Sequence, residues 1–175
     1  MEQTKFLLYK FNSNENDSLI KLDNPLQGKL KFISPFCFSW LFRLLMMGEK
    51  LNLVKVFALS IIDFFNTKNE KKISICLYII NNKILSYLVI QDVKYHMPWI
   101  SEQALEIGAV YTKPDFRGKG LYAYSLETLI KSEKGLYFMI VEEENISSIK
   151  GIERAGFKFY KKITKVEKVG YPQYE

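Results

Sequence analysis

The sequence predicts an α+β domain built on one mixed sheet with helices against it. Three observations predict this class. Apolar runs of strand length, rich in Val, Ile, Tyr and Phe, recur along the chain. Strand patterns open the chain, and from residue 104 onward strand and helix patterns alternate as a β-α-β-α-β series. Aromatic residues reach 15%, with 13 Phe and 11 Tyr, which suits a strand-rich core.

FLLYK (6–10) and KLKFIS (29–34) read as short strands around a polar loop. Residues 36–47 and 51–65 read as two helices joined at Gly48. Their apolar residues cover more than one face, so both are expected to bury deeply or to cover a site. KISICLYII (72–80) and KILSYLVI (83–90) are β-rich runs separated by Asn81-Asn82. Asparagine tolerates positive φ, so a tight hairpin is expected there. YHMPWI (95–100) reads as a loop, since Pro98 argues against a central strand. ALEIGAVYT (104–112) is the next strand. Residues 118–131 read as a helix with Leu121, Tyr122, Ser125, Leu126, Leu129 and Ile130 on one side. LYFMIV (136–141) is uninterruptedly apolar, as expected of a strand at a sheet centre. Ile146, Ile149, Ile152 and Ala155 recur at helical spacing. FKFYKKI (157–163) reads as the final strand, followed by a lysine-rich tail.

The chain has 175 residues, enough for one domain with one core, and carries a formal net charge of +6. That charge biases it mildly toward anionic partners, although solvated lysines explain it equally well. Lys158, Lys161, Lys162, Lys165 and Lys168 are scattered rather than striped with stacking aromatics, so no nucleic-acid partner is expected. Cys37 and Cys76 lie in apolar runs without ligand spacing and read as buried free thiols in a reducing compartment. With one histidine, His96, no metal site is expected. The N-terminus turns polar too soon for a signal peptide. The most apolar stretch, 32–47, is broken by Pro35 and Arg43 and falls short of the ~20 residues a spanning helix needs. A cytoplasmic protein without an integral membrane segment is expected. A homodimer is compatible with this reading.

KPDFRGKG (113–120) sits where a strand hands over to a helix. The first turn of a helix leaves N–H groups without partners, and its dipole adds partial positive charge. Glycines let a bulky anion approach those amides, and Arg117 and Lys119 add full charges, so the stretch suits a pyrophosphate. A basic turn that only starts a helix is the competing reading. A P-loop is excluded, because no GK[ST] follows a glycine five residues earlier. Gly118-x-Gly120-x-x-Ala123 matches a dinucleotide fingerprint, with Glu142 to Glu144 about 20 residues on. That fold needs several βα units after its fingerprint, and here only one helix and two strands follow. Gly108, awkward within a strand, suits a bulge or a close backbone approach. A bulge would splay residues 104–112 from 136–141 and open a slot between them. Loose packing beneath an aromatic is the alternative.

Residues 106–157 resemble the GNAT superfamily of acetyl-CoA-dependent N-acetyltransferases. The resemblance rests on Pro114, Phe116, Arg117, Gly120, Asn145, Ser148, Gly156 and Phe157, in order and at fitting spacings. EIGAVYTKPDFRGKGLY is also similar to a branch found beside bacterial surface-polysaccharide genes. The resemblance implies a mostly antiparallel sheet splayed between two central strands. It implies one domain, with 1–70 shaping the acceptor site, 71–165 forming the hairpin and acetyl-CoA-binding core, and 166–175 a tail. Amides of Val110, Tyr111 and Thr112 would pair with the pantetheine arm, and those of Arg117, Gly118, Lys119, Gly120, Leu121 and Tyr122 would hold the diphosphate. Asn145, with Ser148, would reach the pantetheine region. Tyr122 stands where the family usually has Gly or Ala, so the loop is expected to be tighter or re-aimed.

The implied reaction is direct acyl transfer from acetyl-CoA to a primary amine of a small molecule, an amino sugar or nucleotide-linked sugar among the candidates. A protein or peptide amine and a non-catalytic acyl-CoA-binding module are the alternatives. Glu106 aligns with a strand position where some members carry a catalytic glutamate. Alternation puts it opposite Leu105 and Ile107. An ordinary strand acid is the plain alternative. His96, just before this strand, is the second candidate base. The family's usual acid, a tyrosine seven residues after the asparagine, is Ile152 here. Tyr160 and Tyr124 are substitutes by residue type.

Overall fold

The computed structural model describes residues 5–14, 21–33, 74–167 and 172–174. The helices expected at 36–47 and 51–65, and Cys37, lie outside these residues. The described strands are β1 (Lys5–Asn12), β2 (Lys29–Ile33), β3 (Ser74–Ile80), β4 (Lys83–Asp92), β5 (Leu105–Thr112), β6 (Leu136–Glu142), β7 (Lys158–Glu167) and β8 (Pro172–Tyr174). Two helices, α1 (Leu121–Ser132) and α2 (Ile146–Arg154), accompany them. The sheet order is β2-β3-β4-β5-β6-β1-β7-β8.

Local turn chemistry sets the β3–β4 hairpin. Asn81 (φ 47°) and Asn82 (φ 61°) both occupy the left-handed region that a two-residue hairpin of matching twist requires. Every neighbouring pair is antiparallel except β5 and β6. That parallel pair matches only Leu105 with Tyr137 and Glu106 with Phe138. Beyond Glu106 the two strands part, so the expected splay between central strands is present.

The N-terminal strand is not a neighbour of β2. It is inserted between β6 and β7, where Leu8 is paired with Ile140 on one side and Lys161 on the other. The two segments read as strands around one polar loop therefore stand far apart in the sheet. The C-terminal reading also needs correcting: the last strand is β8, drawn from residues expected to be tail, with Tyr174 opposite Lys165.

Apolar clusters cover both faces of the sheet. Leu126, Leu129 and Ile130 of α1 and Ile152 of α2 pack on Tyr137, Met139 and Val141 of β6 and Ile107 of β5. Burying each of the leucines stabilises the fold by about 1.5–3 kcal/mol. On the opposite face, Val93, Met97 and Ile100 of the β4–β5 connection cover Phe6, Leu8 and Phe138. This connection is the loop anticipated from Pro98, a 3-10 turn (Val93–Tyr95) followed by further turns. Glu106 points to this second face, opposite Ile107, as strand alternation requires.

Candidate functional site

The parting of β5 and β6 opens a cleft of about 670 Å³. Residues 107–111 line one wall and 139–142 the other. A β-bulge sharpens the opening. Tyr87 pairs with Tyr111 and Val89 with Gly108, so β5 carries two residues, Ala109 and Val110, against Leu88 alone. The left-handed residue is Ala109 (φ 43°), one position beyond the glycine expected to host the bulge. Gly108 has a different use. A Cβ there would stand 3.3 Å from Glu106 Oε1, so the glycine makes room for that carboxylate.

Glu106 is buried, 3% exposed, and lines the cleft. A carboxylate out of water needs hydrogen-bond donors. His96 Nδ1 stands 2.7 Å from its Oε2 and 2.9 Å from its Oε1. Gln91 Nε2 donates to Oε2 at 3.2 Å. Against an ionised Glu106 the Nδ1 atom carries the proton, which leaves the lone pair on Nε2. The two residues considered as rival bases are thus one hydrogen-bonded pair.

The cleft continues into a second hollow of about 730 Å³, and Val110, Tyr111, Tyr122, Asn145 and Ser148 border both. Its rim is the glycine loop. Gly118 (φ 71°) and Gly120 (φ 80°) are left-handed, a conformation that costs other residues about 1–2 kcal/mol. Gly120 is the N-cap of α1 with no side-chain cap, so the first-turn amides of α1 receive no capping side chain. A Cβ on Gly118 would meet nothing within 4 Å, and one on Gly120 only Arg154 Nη1 at 3.9 Å. Arg117, Lys150 and Arg154 border this hollow, and no acidic residue does among the described residues. Open backbone, a helix N-terminus and three cations fit a diphosphate with a further phosphate nearby. Arg117 is anchored, its Nε donating to the Thr112 carbonyl at 3.0 Å.

Asn145 caps α2, its Oδ1 accepting from Ser148 N at 3.1 Å and from Ser147 Oγ at 3.0 Å. Its side-chain amide nitrogen has no partner among the described residues. Tyr122 is accommodated by Gly151 on α2, whose missing Cβ leaves room for the ring. Burial raises the Tyr122 phenol pKa, so it is a neutral wall.

The structure brings Glu106, Val110, Tyr111, Tyr122, Asn145 and Ser148 to the cleft, and Thr112, Arg117, Gly118, Gly120 and Leu121 to the hollow beyond. Lys119 is exposed, its Nζ 5.0 Å from the Phe116 ring centroid. Tyr160 is not brought in. It is the extra residue of a bulge in β7, because Phe159 pairs with Tyr9 and Lys161 with Leu8. That turns its half-exposed ring against Phe138, with Lys10 Nζ 5.4 Å away. Tyr124 packs edge-on against Tyr78. Ile152 lines the cleft as a buried apolar side chain.

Sequence reasoning missed Gln91, Lys150, Arg154, Glu142 and Tyr174. Lys150 and Arg154, four apart on α2, carry a readable signal, since that spacing puts both on one helix face. Tyr174 has none. It reaches the cleft because its N–H donates to the His96 carbonyl at 3.0 Å and its carbonyl accepts from the Trp99 indole. Its ring stands edge-on to Phe6 at 5.2 Å and to His96 at 6.0 Å. Its phenol pKa is raised, by burial first and then by Glu106 and Glu142.

Residues 48–157 match the family model described as acetyltransferase (GNAT) family. The fold is similar to a tandem GNAT protein from the clavulanic acid biosynthesis pathway (TM-score 0.63, 10% identity, 94% of this chain and 53% of that one). It is also similar to a GCN5-related N-acetyltransferase from Sphaerobacter thermophilus (TM-score 0.63, 10% identity, 94% and 51%). A third similar structure is an aminoglycoside acetyltransferase from an uncultured soil metagenomic sample, in complex with sisomicin (TM-score 0.53, 9% identity, 74% and 87%). The chain spans about half the length of the first two. No curated protein matches the sequence.

Proposed function

Because the chain belongs to the acetyltransferase (GNAT) family, we propose that it transfers an acetyl group from acetyl-CoA to a primary amine of a small molecule. The observation that carries this reading is the continuity of the cleft. One end is a cation-bordered glycine loop, and the other is a buried carboxylate–histidine pair where β5 leaves β6. Acetyl-CoA supplies an activated thioester. First-turn amides of α1, with Arg117, Lys150 and Arg154, hold its phosphates. The ladder between β5 and β6 is limited to Leu105 and Glu106, so the cleft beyond it has room for an extended amide chain to lie along β5 as an added strand.

The acceptor amine is mostly protonated at neutral pH and must lose a proton to attack. His96 Nε2 takes it, with Glu106 fixing the ring and balancing the imidazolium charge. An amide at the bulge, near Val110, stabilises charge on the carbonyl oxygen. The new C–N bond forms as the C–S bond breaks, and the sulfur leaves as thiolate. A non-catalytic acyl-CoA-binding module is the second reading, favoured by the apolar Ile152 in the cleft.

Calorimetry with acetyl-CoA, followed by thiol release with a panel of amines, tests the proposal. Binding with amine-dependent release supports the enzyme. Binding without release under any amine leaves the module. No association at millimolar concentration removes both.

A further inference from the structure

The two ends of the cleft carry opposite charge, against the bias of the whole chain. The sequence has 25 Lys and Arg against 19 Asp and Glu. At the glycine-loop end, the charged residues that border the hollow are all cations among the described residues. At the β5–β6 end the charged lining residues are Glu106 and Glu142, and no Lys or Arg lines that part among the described residues. The carboxylate end runs against the net charge of the chain.

Glu106 is occupied by His96 and Gln91. Glu142 is exposed at the end of β6, and its carboxylate has no hydrogen bond or ion pair among the described residues. It is paired in register with Phe6, whose ring meets Tyr174 edge-on. The far end of the cleft therefore offers aromatic walls and a carboxylate that no cation pairs among the described residues. Cations are held by such walls and carboxylates, and a phosphate or carboxylate of the acceptor would meet like charge. The raised phenol pKa of Tyr174, to which Glu106 and Glu142 both contribute, reports the same negative field.

We infer that the acceptor is a diamine or polyamine without an acidic group, with one nitrogen at His96–Glu106 and a second, protonated nitrogen on Glu142. This rests on the acetyl-transfer reading and narrows it away from nucleotide-linked and phosphorylated amino sugars. One nitrogen must be neutral to react, so the charge complementary to Glu142 has to come from another.

The test compares acetyl-CoA thiol release with 1,4-diaminobutane and spermidine against glucosamine 6-phosphate and a nucleotide-linked amino sugar. The expected kcat/KM favours the diamines by about tenfold or more. Glu142→Gln is expected to raise the diamine KM about tenfold, while Glu144→Gln, outside the cleft, leaves it unchanged. Preference for the anionic amines, or an unchanged diamine KM in Glu142→Gln, overturns the inference while leaving acetyl transfer standing. If no amine is consumed, calorimetry of spermidine against the CoA-loaded chain decides. Binding that Glu142→Gln abolishes keeps the cation site although transfer fails, and no binding overturns it.

Discussion

His96 Nδ1 lies 2.7 Å from Glu106 Oε2, although the residues belong to different elements, the β4–β5 connection and β5. The buried carboxylate fixes the ring, and the ring N–H gives the carboxylate a donor out of water. Residues that act as one unit show non-additive kinetics. His96→Gln and Glu106→Gln are each expected to lower kcat by about 10²–10⁴ with little change in acetyl-CoA affinity. The double variant should be no worse than the worse single one. Thiol-release kinetics of all four proteins check this, and losses that multiply would mean two independent roles.

Gly120 lies in the left-handed region, and a Cβ there would meet only Arg154 Nη1, at an ordinary contact distance of 3.9 Å. A side chain there costs about 1–2 kcal/mol of backbone strain and leaves packing intact. Gly120→Glu adds a negative charge where the phosphates belong, so calorimetry should show no CoA binding by a folded chain. Gly118→Ala imposes similar strain without charge and separates the two effects. Its CoA affinity should fall far less. Unchanged affinity in Gly120→Glu would move the diphosphate elsewhere.

What was legible beforehand follows from locality. The Asn81-Asn82 hairpin and the glycine loop declared themselves because turn chemistry is set by adjacent residues. Glu106 was legible through strand alternation and the family resemblance. The insertion of β1 between β6 and β7 was not, because nothing in FLLYK encodes partners more than 100 residues away. Tyr174 was hidden for the same reason: its place depends on hydrogen bonds to His96 and Trp99. Tyr160 matched by residue type alone, and the β7 bulge that sets its ring against Phe138, away from the cleft, is not written in the sequence.

Cys76 is 1% exposed in β3, and burial raises its thiol pKa from 9.0 to about 12. The folded chain therefore keeps a proton that the unfolded chain releases above about 9. Its contribution is fully present below that pH and is lost as pH rises toward 12, with a slope of about 1.4 kcal/mol per pH unit. Urea unfolding between pH 8 and 11 should show this decline, and Cys76→Ala should flatten it by one proton whatever its stability at neutral pH. A slope identical in both proteins would place the alkaline loss on other groups.

Tyr122 lies against Gly151, and a Cβ at that glycine would stand 2.5 Å from Tyr122 Cδ1 and 2.9 Å from Cε1. No real carbon tolerates that spacing, so Gly151→Ala must push the ring aside. The ring borders both parts of the cleft, and its hydroxyl points toward Met139 Sδ at 4.0 Å. Overpacking of this kind costs about 1–3 kcal/mol. Gly151→Ala should therefore lower stability and weaken CoA binding together. Tyr122→Ala removes the clash, so adding Gly151→Ala to it should cost little or stabilise by up to about 1 kcal/mol, the margin by which alanine exceeds glycine in a helix. A double-mutant cycle in urea measures the coupling directly. Near-zero coupling would mean that the ring has another low-energy position and does not depend on the glycine.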